Sequence, residues 1–192
     1  MRTVRRTGHV PGVSGVVCVV VSALAALALG GAPAAASPAG GPASAVAAAA
    51  GGWEPAPSAP WGVPAGARCD FPVHGEAVVD EVERLVLARY PDGSPKQVAY
   101  RGDLVVRVVN TDTGVAYDAD AGGTAVVEHR ADGSQLWTVF GPVLVGVGEG
   151  GGNLARGLYI VDGVYTLEIS RTGYKTVTMA YGGQDDLCAR IG

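Results

Sequence analysis

Histidine, cysteine and aromatic residues are scarce in this 192-residue chain, and each shortage removes a class of chemistry. Only His74 and His129 lie beyond residue 36, and neither belongs to an H-E-x-x-H or C-x-x-C arrangement that would fix a metal's geometry. No metal or cofactor is expected. Gly-x-Ser-x-Gly is absent, and Ser94, Ser134 and Ser170 fall at turns or strand ends without a recognisable base. A glycosidase needs two facing carboxylates, but among 18 acidic residues some pair meets that distance by chance, so the count decides nothing. Gly150-Gly151-Gly152 lacks the Gly-Lys-Ser/Thr ending of a phosphate loop. Enzyme activity is therefore not expected, and a secreted hydrolase is the least favoured reading. Aromatic residues make up 6% of the chain, too few for an extended sugar-binding platform.

The amino-terminal region has one charge sign only. Arg2, Arg5 and Arg6 precede an apolar stretch from Val13 to Leu29, and Ala32-Pro33-Ala34 and Ala34-Ala35-Ala36 offer small-residue cleavage sites. Residues 1–36 read as a secretory signal peptide. The alternative is an uncleaved anchor, but 17 residues sit at the short limit for a span and no basic cluster follows. Removing the leader leaves 11 basic against 18 acidic residues, a formal net charge of −7. Such a composition offers no basic patch for a phosphate backbone, so nucleic acid is not expected as a partner. Cys18 leaves with the leader, and no stable membrane span is expected afterwards.

Residues 37–66 are rich in Ala, Pro and Gly and read as a disordered linker. Within it, Trp53 and Trp61 either present themselves to a partner or fold back onto the domain. The nearness of Trp61 to Cys69 favours folding back. The domain proper is expected over residues 67–192.

That domain reads as all-β. Leu104–Val109, Thr124–His129, Gln135–Phe140, Val143–Val147, Leu158–Val161, Val164–Ser170 and Lys175–Tyr181 are strand candidates, with Asn110–Gly114, Asp132-Gly133, Asp162-Gly163 and Gly173 as turns. Pro142 ends or kinks its strand. In the last two strands, Tyr165, Leu167 and Ile169 share one face, as do Val177, Met179 and Tyr181. About seven or eight short strands with regular turns point to a two-sheet antiparallel sandwich, immunoglobulin-like, or a small barrel. The segment Glu76–Tyr90 stays open between a helix and one or two strands feeding the Pro91-Asp92-Gly93 turn.

Cys69-Asp70-Phe71-Pro72, Tyr90-Pro91-Asp92-Gly93, Asn110-Thr111-Asp112-Thr113-Gly114 and Asp186-Leu187-Cys188 together carry a resemblance. They resemble a group of small, uncharacterised secreted all-β proteins of actinobacteria, over roughly residues 69–190. The resemblance implies an exported all-β domain and leans 76–90 towards strand, and it implies no activity. Asp70 departs from the glycine often found after the first cysteine in that group.

Cys69 and Cys188 bracket nearly every strand candidate, and an exported chain with two such cysteines is expected to join them in one disulfide. Asp118 and Asp120, in an expected 118–123 loop, are the nearest approach to a calcium site, though no glutamate closes it. The glycine-rich Gly148–Arg156 loop is the candidate recognition loop, with Gly148, Glu149, Asn153 and Arg156 as its contact residues. The expected function is that of a monomeric, non-enzymatic binding module in the medium or at the envelope. The alternative is a structural or stress-related extracellular protein without a small ligand. An apolar concavity lined by Tyr159, Tyr165, Tyr174 or Trp137 would favour the first, and burial of those rings the second.

Overall fold

The computed structural model describes residues 51–192, so the signal-peptide expectation and the first part of the linker lie outside the described residues. From Glu54 onward the chain is already engaged with the domain. β1 (Glu54–Pro55) pairs with β4 (Glu83–Arg89), and β2 (Trp61–Val63) pairs with β3 (Val73–Asp80). The linker boundary at residue 66 is thus corrected. Trp61 folds back because its cross-strand partner is Gly75, where an added Cβ would fall 2.2 Å from the indole. The bare glycine gives the ring its seat.

The remaining strands are β5 (Pro95–Arg101), β6 (Leu104–Asn110), β7 (Ala116–Asp120), β8 (Thr124–His129), β9 (Gln135–Phe140), β10 (Val143–Val147), β11 (Gly157–Ile169) and β12 (Lys175–Asp186), followed by the short helix α1 (Leu187–Ile191). Two antiparallel sheets form a sandwich-like arrangement. The larger runs β1-β4-β5-β8-β9-β11-β10, with β12 also on β11, and the smaller runs β2-β3-β6-β7. The open segment 76–90 is strand, not helix.

Four pairs of consecutive strands and two long strands are continued through a common crease. Backbone hydrogen bonds carry the pairing across it, from Glu81 N to Asp103 O, Ala121 N to Leu104 O, Gly123 N to Pro142 O and Gly141 N to Gly163 O, each 2.8 Å. β3–β4, β5–β6, β7–β8 and β9–β10 each pass from one side of the crease to the other, and β11 and β12 cross without a break. On one side β4, β5, β8, β9, β11 and β12 make a continuous meander. On the other, β3, β6 and β7 part from β10, β11 and β12 to form the second layer.

Asp162-Gly163 was expected to close a hairpin; it instead lies inside the 13-residue β11. Gly163 is paired directly with Gly182, both at positive φ (129° and 120°), and an added Cβ on either would lie within 2.1 Å of a backbone carbonyl oxygen across the pair. Only glycine lets the two strands approach and bend together there. A bulge beside it, between Val164 and Tyr165, also shifts β12, so Met179 pairs with Tyr165 and Tyr181 with Val164. The expected common face of Val177, Met179 and Tyr181 is therefore broken.

Two hydrophobic clusters result. One gathers Val73, Val106, Val108, Ala119, Leu158, Leu187 and Ile191 between the smaller sheet, β11 and α1. The other gathers Val139, Val145, Val147, Tyr159, Val161, Tyr165 and Leu167 around β9, β10 and β11. The Cys69–Cys188 disulfide joins the entrance of the smaller sheet to α1, with Cα atoms 5.4 Å apart. Asp186 caps the helix by accepting from Cys188 N at 2.9 Å. Asn110, 2% exposed, donates to Ile191 O at 3.1 Å and accepts from Asp112 N at 3.0 Å, locking the helix end to the β6–β7 turn. Among the described residues no helix is long and apolar enough to cross a membrane.

Candidate binding surface

The expected recognition loop is built into the scaffold. Asn153 makes a reciprocal pair with Val177, donating to its carbonyl at 2.8 Å and accepting from its amide at 2.9 Å. Lys175 N donates to Gly151 O, and Asn153 N to Lys175 O, so the loop covers the start of β12. Arg156 is bonded to Asp70 and lies 3.6 Å from Glu149. The contact ties Arg156 to the residue that follows Cys69. Gly148 packs beside the Arg68 guanidinium, which an added Cβ would meet at 3.0 Å. Glu149 keeps a largely exposed side chain (88%), and Asn153 is exposed as well although its amide is hydrogen-bonded.

The expected 118–123 loop is also corrected, because Asp118 and Asp120 lie in β7. Asp118 accepts both Nε and Nη2 of Arg107, its cross-strand partner, at 2.7 Å. The Arg107 hydrogen bond holds the carboxylate below its ordinary range. Asp120 accepts from Gly122 N at 2.9 Å. Among the described residues no group of three or more His, Cys, Asp or Glu side chains is placed to hold a metal ion. With Asp118 committed to an arginine, the pair is a poor calcium cradle.

The serines serve turn chemistry. Ser94 Oγ donates to Asp92 at 2.6 Å and Ser134 Oγ to Asp132 at 2.7 Å, the two Asp-Gly-Ser turns repeating the same pattern. Ser170 Oγ is engaged with Thr172 and Tyr174. His74 lies 3.9 Å from Glu76 on β3. His129 borders an open cleft of about 600 Å³ between the turns at 90–94 and 130–134, and its carbonyl accepts the Tyr90 hydroxyl at 2.7 Å.

Six of the aromatic rings divide three ways, while Tyr174 is exposed by 43%. Tyr159 and Tyr165 are buried, and burial raises both phenols above their ordinary pKa. Trp137 lies parallel to Tyr100, centroids 6.4 Å apart, over an apolar cleft between the two clusters. Phe140 and Tyr181 are exposed by 53% and 79%.

Those last two are not scattered. Phe140 pairs with Val164, and Val164 pairs with Tyr181, so the three side chains stand in one row on one face of the large sheet. Val164 is itself 39% exposed. The next row on that face is Thr138, Thr166 and Thr178, again direct cross-strand partners. Thr124, paired with Phe140, extends the apolar row. The signal in the sequence was a pair of alternations, Thr138–Phe140 and Val164–Thr166, whose members on this face are hydroxyl and apolar; register was needed to align them. With strands about 4.8 Å apart, Phe140 and Tyr181 stand roughly 10 Å from each other across Val164.

A scan against protein-family models, a search of curated proteins and a search of solved structures each found no match to the chain.

Proposed function

We propose that this protein is an exported, monomeric, non-enzymatic binding module that docks on an uncharged polysaccharide of the envelope or medium. The observation that carries the reading is the exposed row of Phe140, Val164 and Tyr181 set beside the threonine row on a stiff sheet. Flat rings and a methyl-bearing side chain suit the apolar faces of sugar rings, and the Thr138, Thr166 and Thr178 hydroxyls can both donate and accept against sugar hydroxyls. No ionised side chain lies in either row, which favours a neutral polymer. Two aromatic rings about 10 Å apart make a short platform, for two or three sugar units, and fit a chain poor in aromatics. The disulfide, the signal-like leader and the acidic mature charge support export.

The test is depletion binding of the purified protein to insoluble neutral polysaccharides and to isolated cell-wall material. Wild type should be retained on at least one of them, and the Phe140→Ala/Tyr181→Ala variant should bind at least tenfold more weakly with an unchanged unfolding midpoint. Both side chains are exposed, so the substitutions leave the core intact. Equal retention of the variant would refute the proposal. Absence of wild-type retention on every such surface would favour the structural reading without a ligand.

A further inference from the structure

We infer that the cleft beneath Trp137 is a second binding site, for a small uncharged apolar molecule carrying a ring. It lies where the two layers part, and it has a volume of about 240 Å³. Its walls include Tyr100, Trp137, Ala121, Gly123, Ala125 and Leu144, and no Asp, Glu, His, Lys or Arg lines it. The Trp137 indole N–H is satisfied by Gln135 Oε1 at 2.9 Å, so the ring offers carbon rather than a polar atom to the space. Tyr100, inclined by only 5° to that ring, continues the aromatic wall.

The space exists because the sequence is small where the sheet divides. Ala121, Gly123 and Ala125 stand in consecutive alternate positions, and Gly123 is obligatory there, since an added Cβ would lie 2.5 Å from the Pro142 carbonyl oxygen. An apolar cavity of about 150 Å³ stays dry and admits a benzene-sized guest, so this one has room for a larger ring or a ring with a short alkyl arm. A wall without charge disfavours an ionised guest, which would lose hydration without a partner.

The cover is a strap rather than a strand of the core. Ala56 N donates to Val82 O at 2.8 Å and Ser58 N to Asp80 Oδ2 at 2.6 Å, while Pro55 and Pro57 on either side have no N–H to give. Ala56 and Ser58 both line the cleft. The rim is held from outside by Glu54 on Arg84 at 2.9 Å and by Arg101 stacked 3.9 Å over Trp53. A guest can therefore enter by displacement of a few strap contacts, leaving both layers intact.

The site stands on residues other than Phe140 and Tyr181, so it can fail while the polysaccharide reading holds, and the reverse. The experiment is titration of the folded protein with N-phenyl-1-naphthylamine, an uncharged fluorescent ring compound, following probe emission and quenching of tryptophan. Saturable one-to-one binding is expected. Ala56→Phe fills the mouth from the strap and should weaken binding at least tenfold with an unchanged unfolding midpoint; Ala125→Leu, which fills the floor, provides a second test if it folds. Phe140→Ala/Tyr181→Ala should bind the probe as wild type does. Lack of saturable binding, undiminished binding by Ala56→Phe, or loss in the Phe140/Tyr181 variant alone would overturn the inference.

Discussion

Breaking the Cys69–Cys188 bond should cost this domain as much as truncating its most deeply buried side chains. The two residues are 119 apart in sequence, so the bond closes a loop of that order. In the chain-entropy treatment such a loop gives about 5 kcal/mol at 25 °C. Residual order in the reduced, unfolded chain lowers the observable figure to about 3–5 kcal/mol. For a domain of this size each kcal/mol moves the midpoint by about 3–4 °C, so the expected loss is roughly 10–20 °C. The structural consequence is local first. α1 is only five residues long, and Leu187 and Ile191 are fully buried beneath it, with Asn110 and the Asp186 cap as its other ties. Without the bond, amide exchange in α1 and in β12 near Asp186 should rise before that of β6 or β11. The assay is urea unfolding of the oxidised protein, the reduced protein and a Cys69→Ala/Cys188→Ala variant, with exchange measured on the first two. A reduced protein within about 1 kcal/mol of the oxidised one, or thiols that alkylate without prior reduction, would refute the reasoning.

Three further outcomes follow from named contacts. Gly163→Ala should lose at least about 2 kcal/mol, because it forces a side chain onto a positive-φ position against the Tyr181 carbonyl; Gly183→Ala, with open space around its Cβ position, should stay within about 0.5 kcal/mol, both by urea midpoint. Asn110→Ala should cost about 2–3 kcal/mol, since it removes a buried amide and leaves Ile191 O and the Asp112 and Thr113 amides without it. Asp92 and Asp132 are held below the ordinary carboxylate range by hydrogen bonds from the Ser94 and Ser134 side chains and then their amides. A folded pKa below the unfolded one gives stability that is present above about pH 4 and is lost as pH falls through the depressed values. Asp92→Asn/Asp132→Asn keeps the acceptors without the charge, so its unfolding midpoint should fall less between pH 5 and pH 2 than that of wild type.

The sequence was most legible where alternation and turn chemistry agreed. Asp132-Gly133 and Gly173 closed hairpins as expected, and the inward set Tyr165, Leu167 and Ile169 is buried or half-buried. Glu76–Tyr90 was ambiguous for a physical reason. Bulges leave Val78 and Leu87 outside the paired register of β3 and β4, which interrupts the period of two and mimics helical spacing. Asp162-Gly163 misled because a glycine needed for close approach inside a strand has the same local signature as one needed for a turn. The binding row was hidden for a related reason. Phe140, Val164 and Tyr181 come from three strands, and the bulge that puts Tyr181 opposite Val164 reverses the simple alternation of β12. Asn110 and α1 were missed as well, since their importance depends on a contact between residues 110 and 191 that no local pattern announces.

The most direct test of the account is a backbone-amide and threonine-methyl NMR titration of the domain with a soluble neutral oligosaccharide drawn from whichever polymer retains the protein. Shifts confined to Thr138, Phe140, Val164, Thr166, Thr178 and Tyr181, and abolished in the Phe140→Ala/Tyr181→Ala variant, are the predicted result. Shifts gathered instead at the cleft between residues 90–94 and 130–134, or at the 148–156 loop, would contradict it.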